Sequence, residues 1–350
     1  MRDPGLLRPY NAGMNSLIGT PYASLTPDCV LNALDSLGCP EYRADGRLLA
    51  LNSYENRVYL LGLESGPMLV AKFYRAGRWS DAAILEEHTF VEELALQELP
   101  VVAPLRINDK TLHVHAGHRF AVFPKRGGRA PELGNAETLG WMGRFLGRIH
   151  AIGSLRAYVS RPVLDIASFG EEPCDYLLAH DFVPEELLDV WRSVVTQALA
   201  GVRRCFERAG KVANLRLHGD CHGGNVLWTV DGDAPGPHFV DFDDSRMGPA
   251  VQDLWMLLSG ERDEMQQQLT ELLSGYRRFF DFNPRQLHLL EALRTLRLIH
   301  YAAWLARRWD DPAFPQAFPW FNTVRYWQDR ILELREQIAL MDEEPLSFTL

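Results

Sequence analysis

The chain has 350 residues, 47% hydrophobic and 23% charged, and its 36 Lys and Arg against 46 Asp and Glu give a net charge of −10. This is ordinary globular composition at the length of about two domains, which excludes wholesale disorder, collagen and a coiled coil. The acidic balance argues against general phosphate-backbone binding, which needs a concentrated basic surface, and leaves room for a small basic site for a nucleotide.

In chain order, Met1 to Gly13 is polar, holds two prolines and has no apolar core of signal-peptide length. Met14 is a candidate alternative start. The longest apolar runs, such as Met68–Ala71 and Trp255–Leu258, fall far short of the roughly 20 residues of a membrane span. The five widely spaced cysteines form no CxxC pair and read as free thiols in a reducing cytoplasm. An N-terminal extension and helix are expected over 1–40.

Strands are expected at Arg47–Ser53, Arg57–Leu63 and Met68–Tyr74, the third reached through the Gly66-Pro67 turn signal. A helix follows over about Ser80–Leu99, with Ser80 and Asp81 suited to its cap and Pro100 just beyond its end. Further strands are expected at Leu105–Ile107, Leu112–His115 and Arg119–Phe123. The Gly- and charge-rich stretch Pro124–Arg129 reads as a hinge. Beyond it, helical periodicity covers Thr138–Ile152, Pro184–Ala209, Pro249–Leu258, Glu264–Phe280, Pro284–Arg308 and Thr323–Leu340. Two short strands around the turn Asp231–Pro237 interrupt it. The expected fold is α+β and bilobal, with a small antiparallel sheet plus helix over 41–124 and a larger, mostly α lobe over 125–350.

Chemistry concentrates in two linked segments. Residues 217–225 read Leu-His-Gly-Asp-Cys-His-Gly-Gly-Asn, and 238–244 read His-Phe-Val-Asp-Phe-Asp-Asp. The first has the pattern H-x-D-x-x-x-x-N, and the second sets Asp241 after an apolar strand. This is the spacing of a kinase catalytic loop and its metal-binding aspartate. Phosphoryl transfer needs a carboxylate to orient the acceptor hydroxyl and take its proton, a role that fits Asp220. It also needs hard oxygen ligands for Mg²⁺, which Asn225 and Asp241 supply. His218 reads as a brace for the loop. Asp243 and Asp244 are expected either to help through water or to be solvated.

Lys72 lies in Met-Leu-Val-Ala-Lys-Phe-Tyr, which is like the V-A-I-K strand whose lysine binds ATP phosphates. A lysine in an apolar strand is costly to bury unpaired. On the following helix Glu87 shares the stripe of Ile84, Val91 and Leu94, so it is the expected ion-pair partner. Glu86, Glu92 and Glu93 fall off that stripe and are expected in solvent. No G-x-G-x-x-G loop stands between the first two strands. Asn52-Ser53-Tyr54-Glu55-Asn56-Arg57 occupies that place, where Ser53 and turn N–H groups could cap phosphates.

These residues resemble the protein-kinase-like superfamily of aminoglycoside and choline phosphotransferases, from about Leu48 to Leu258. Within it, Leu51–Tyr59 and Trp79–Leu99 closely resemble the bacterial stress response kinase A family. The resemblance implies a cytoplasmic, autophosphorylating Ser/Thr protein kinase active under envelope or oxidative stress. It implies Asp220 as proton acceptor, Asn225 and Asp241 as Mg²⁺ ligands, and Ser53 at the ATP site; with Lys72 and Glu87 read as cofactor-binding and Asp220 and Asp241 as catalytic, these residues make up the expected site. The turn Asp231–Pro237 looks expanded relative to the family. A monomer acting on a protein or a small hydroxyl acceptor is expected. The absence of an A-P-E motif after Asp241 favours a small acceptor such as an amino alcohol, sugar or aminoglycoside, while the resemblance favours a protein. Glu171, Glu172 and Asp175 are candidates for a cationic acceptor or are simply solvated. Trp304, Trp309, Trp320 and Trp327 read as core.

Overall fold

The computed structural model describes residues 21–229 and 236–348. The extension before Asn15, Met14 and residues 231–235 of the expected expanded turn lie outside them. Helix α1 (Pro27–Asp35) starts with Thr26 accepting from the Cys29 N–H at 3.2 Å and with Pro27 in its first turn. This is the pairing of side-chain cap and pre-set φ that favours a helix start.

Five antiparallel strands follow as one sheet in the order β1-β2-β3-β5-β4: β1 (Ala44–Ala50), β2 (Arg57–Leu63), β3 (Leu69–Phe73), β4 (His113–His115) and β5 (His118–Pro124). The pleat divides β3 between two faces. Ala71 and Phe73, with Phe120 and Val122 of β5, pack on Val30 and Leu34 of α1. Lys72 points the other way, paired in register with Val58 and Ala121. Helix α2 (Asp81–Leu96), capped by Ser80 accepting from the Ala83 N–H at 3.1 Å, covers that second face.

The remainder is mainly helical: α3 (Ala136–Gly153), α4 (Glu172–Ala179), α5 (Leu188–Ala209), α6 (Val251–Trp255), α7 (Arg262–Tyr276), α8 (Leu290–Ala306), α9 (Ala313–Ala317) and α10 (Val324–Asp342). A single core runs through them. In it the fully buried Trp191 and Trp327 meet edge-to-face at 5.0 Å. Helices α3 and α7 pack backbone to backbone, since a Cβ on Gly143 would collide with the Leu272 carbonyl. Between α5 and α6 the chain forms β6 (Leu215–Arg216), β7 (Val226–Thr229), β8 (Gly236–Phe239) and β9 (Met247–Gly248), pairing β6 with β9 and β7 with β8.

Several expectations shift. The strand expected at Leu105–Ile107 is reduced to an isolated bridge from Ile107 to Lys110, because Asn108 and Asp109 both turn at positive φ. The first strand begins at Ala44 and ends at Ala50. The helices expected from Pro184 and Pro284 open with short 3-10 turns, 185–187 and 284–289, before α5 and α8. Helices α4 and α9 were not expected. Among the described residues no helix is long and apolar enough to cross a membrane.

Candidate active site

Pairing of β6 with β9 brings the 217–225 loop alongside 241–246. At Gly219, with φ +88°, a Cβ would strike the Asp244 carbonyl, so this position requires glycine. The loop is held by Asp253 of α6, a fully buried carboxylate that sequence reading missed. Its Oδ2 accepts the His218 N–H at 2.8 Å and its Oδ1 accepts the Gly219 N–H at 2.8 Å. Its Oδ2 also lies 3.0 Å from His150 Nε2, and His150 Nδ1 is 2.9 Å from the Tyr276 hydroxyl. His218 is the expected brace: its Nε2 is 2.9 Å from the Val240 carbonyl, and its ring lies 4.3 Å from Phe242. Phe242 continues this contact to Phe90 of α2.

Asp220 Oδ1 lies 2.8 Å from the Arg297 guanidinium of α8, and Oδ2 lies 3.4 Å from His222 Nε2. Burial pushes this carboxyl up, but the His222 contact and the Arg297 charge hold it below the usual carboxylate range. Asn225 donates from Nδ2 to the Asp220 carbonyl at 2.9 Å, which leaves its amide oxygen for a cation. Asp241 follows β8 in the left-handed region, φ 60°, with its side chain 55% exposed. Among non-glycine residues, aspartate is one of the few that tolerates this conformation.

Lys72 meets Asp241 at 2.8 Å and Asp243 at 3.2 Å rather than the expected Glu87, whose carboxylate acts on the Lys72 charge without a direct ion pair. Burial would pull the ammonium down, yet the two carboxylates hold it well above its ordinary value. Glu87 is buried as expected and shares the cleft, but its ion pair is with Arg161 at 3.0 Å. Its neighbours on α2 are not solvated either. Glu86 accepts the N–H groups of Val159, Ser160 and Arg161, which seats Arg161. Glu93 pairs with Arg156 and Arg216, and Glu92 with Arg106. The helical period found the inward stripe. It held no information about arginines placed 14 to 123 residues away.

Asp243 and Asp244 are also bound rather than solvated. Arg78 grips both, Asn56 donates to Asp243 at 3.1 Å, and Arg246 pairs with Asp244 at 2.8 Å. Burial raises the Asp243 carboxyl, but Arg78 and Lys72 lower it to about 2. Ser53 caps its own turn, accepting the Val58 N–H at 3.1 Å. Glu171 pairs with Arg203 at 2.5 Å, and neither Glu171, Glu172 nor Asp175 lines the cleft. Of the four C-terminal tryptophans, Trp304 lines the cleft, Trp327 is core, Trp309 is partly buried against the core and Trp320 is 45% exposed.

All six expected site residues, Ser53, Lys72, Glu87, Asp220, Asn225 and Asp241, line one cleft of about 770 Å³ between the sheet and the helical lobe. Its apolar lining includes Val58, Val70, Val102, Leu227 and Val240. The model of the phosphotransferase enzyme family matches residues 47–290, about 70% of the chain. Stress response kinase A of Escherichia coli strain K12 is 42% identical over 328 residues, covering 94% of this chain and 97% of the relative. The chain belongs to the stress response kinase A family. The family's serine/threonine protein kinase RdoA of Salmonella typhimurium is 41% identical with the same coverage. As a member of this family the protein is a kinase that transfers phosphate to a hydroxyl group. Among solved structures, an amicoumacin kinase bound to AMP-PNP, Ca²⁺ and Ami superposes with TM-score 0.65 at 20% identity, covering 87% of this chain and 90% of that one. A microcompartment-associated aminopropanol kinase also reaches 0.65, at 16% identity and 89% and 96% coverage. These likenesses establish the bilobal kinase-like fold.

Proposed function

We propose that the protein is an ATP- and Mg²⁺-dependent Ser/Thr protein kinase that also phosphorylates itself and serves a stress response in the cytoplasm. The observation that carries this reading is the convergence of Lys72, Asp220, Asn225 and Asp241 on one cleft. An amide oxygen and an exposed carboxylate are the hard donors that Mg²⁺ takes while keeping substrate phosphates. When bound, the metal would neutralise charge on the transferred phosphate. Lys72, drawn to Asp241 and Asp243 here, is the cation available to the phosphates, and Ser53 lies in the turn above them. The apolar lining of the cleft suits a flat base. Asp220, kept ionised by its neighbours, orients the acceptor hydroxyl and receives its proton.

The protein acceptor is favoured by the name of the Salmonella typhimurium relative and by the charge of the cleft. Asp243 and Asp244 are both bound to arginine, so neither is free for a cationic amine. A second reading, a kinase of a small amino alcohol, sugar or aminoglycoside, is favoured by the short path from Asp241 to α6 at Val251, which leaves no long peptide-holding segment. Incubation with labelled ATP and Mg²⁺, alone and with myelin basic protein, separates the two. Label on either protein is expected. Label moving only to a small hydroxyl compound would sink the protein-kinase reading.

A further inference from the structure

The turn at 52–56, between β1 and β2, contains no glycine. Backbone freedom therefore cannot lay it over phosphates as a glycine-rich loop would. Side chains fix it instead, and they reach it from both lobes. Glu55 Oε2 accepts the Trp304 indole N–H at 2.7 Å and pairs with Arg308. Its Oε1 lies 3.1 Å from Arg75. Arg75 in turn is held by Asp311 at 2.5 Å. The Glu55, Arg75 and Arg308 side chains are only 10–12% exposed, so the ion pairs are largely shielded from water and salt. Next to Glu55, Tyr54 meets Phe318 edge-on at 4.8 Å. Trp304 lies seven residues, two helical turns, after Arg297 on α8, which puts both on one face about 10 Å apart. Arg297 holds Asp220. One helix thus grips the proton acceptor at one point and the phosphate-covering turn at another.

We propose that Glu55 is a positioning residue: clasped by Trp304 and Arg308, it fixes the 52–56 turn over the nucleotide phosphates at a set offset from Asp220. The proposal rests on the nucleotide-site reading above. The clasp takes the place of glycine, and it makes nucleotide affinity depend on a helix of the opposite lobe. Glu55 touches no reacting atom, so its loss acts on nucleotide binding more than on the transfer step.

The test is a double-mutant cycle on the full chain, with Glu55→Gln, Trp304→Phe and the pair. It is read as Kd for AMP-PNP with Mg²⁺, as KM and kcat for ATP, and as Tm. Each single variant is expected to weaken nucleotide binding about tenfold, and the pair to be no weaker than the weaker single variant, as for residues sharing one contact. KM should carry the effect while kcat changes less than KM. Trp304→Phe keeps an aromatic ring against Phe314 and Phe318, so it is expected to fold with a modest drop in Tm, and it decides the question if Glu55→Gln does not fold. Wild-type affinity in Trp304→Phe, or penalties that multiply in the pair, would overturn the clasp alone. A wild-type chain that binds no nucleotide would overturn the clasp and the kinase reading together.

Discussion

The loop at 217–225 is held from within its own lobe, while the turn at 52–56 is held from both. Asp253 takes two backbone N–H groups of the loop, and His150 and Tyr276 brace Asp253 from α3 and α7. The turn is tied to its own lobe by Arg75 and Val58, and to the helical lobe by Trp304, Arg308, Asp243 and, through Arg75, Asp311. The loop therefore has its braces before the cleft forms, whereas the turn gains its full set of contacts only when both lobes are in place. On the proposed function, the group that must be placed most accurately, Asp220 as proton acceptor, sits on the self-braced element, and the contacts that would let nucleotide in and out sit on the cross-braced one.

The largest effects are expected where the self-braced loop performs chemistry. Asp220→Ala should cost at least about a hundredfold in phosphoryl transfer, the low end for a general base, with the unfolding transition unchanged. Full activity in a folded variant would refute the role. Asp241→Ala should abolish Mg²⁺-dependent ATP turnover. Asp253→Ala tests the brace itself. It leaves the buried N–H groups of His218 and Gly219 unpaired, which should cost on the order of 3 kcal/mol in denaturant unfolding. A loss below about 0.5 kcal/mol would show that the loop does not depend on its own lobe.

Legibility in the sequence follows the same division. The loop carries its pattern within nine residues, so His218, Asp220 and Asn225 could be read directly, and Lys72 and Asp241 could be read from short strand contexts. Strands β2 and β3, α2 with its Ser80 cap, and most C-terminal helices were also readable from period and capping. Asp253 left a weaker trace, one carboxylate inside Ala-Val-Gln-Asp-Leu-Trp-Met-Leu-Leu. The reasoning that singled out Glu87 on an apolar stripe would have flagged it. Arg78, Arg161, Arg246 and Arg297 left none, because surface arginines are common and nothing local marks the ones that turn inward. Glu55 is bonded to Trp304 across 249 residues, and no periodicity reports such a contact.

A smaller effect is expected where α8 crosses to the loop. Arg297 and His222 hold the Asp220 carboxyl low against the pull of burial. A base with a lowered pKa stays ionised further into acid, so the acid limb of kcat/KM belonging to Asp220 should lie below the ordinary value of about 3.9. Removing the guanidinium in Arg297→Gln takes away a group that favours the charged form, so the limb should move to higher pH. A pH profile identical to wild type would show that Arg297 does not tune the base, and would weaken the picture of α8 as a link between loop and turn.

The smallest effect concerns the sheet lobe's own buried brace, the counterpart of Asp253 and His150. His88 of α2 places Nε2 2.7 Å from the Tyr74 hydroxyl and Nδ1 2.8 Å from the Thr111 hydroxyl, beside the strand that carries Lys72. Burial, with Lys72 and Arg161 nearby, lowers it to about 3, so it is neutral in the folded chain. His300 is likewise lowered to about 3, by burial and then Arg246. Unfolded, both return to about 6.5 and bind a proton as the pH falls. The unfolded chain therefore holds more protons between about pH 6.5 and pH 3, and stability contributed by the neutral rings is present above that window and lost as pH falls through it. Each ring should add about 1.4 kcal/mol per pH unit to the slope in the middle of the window. His88→Gln removes one of the two, so its unfolding free energy should fall less steeply than wild type between pH 6 and pH 4.5, whatever its stability at pH 7. Equal slopes would mean that His88 binds its proton in the fold as readily as in the unfolded chain, and that burial does not hold it neutral.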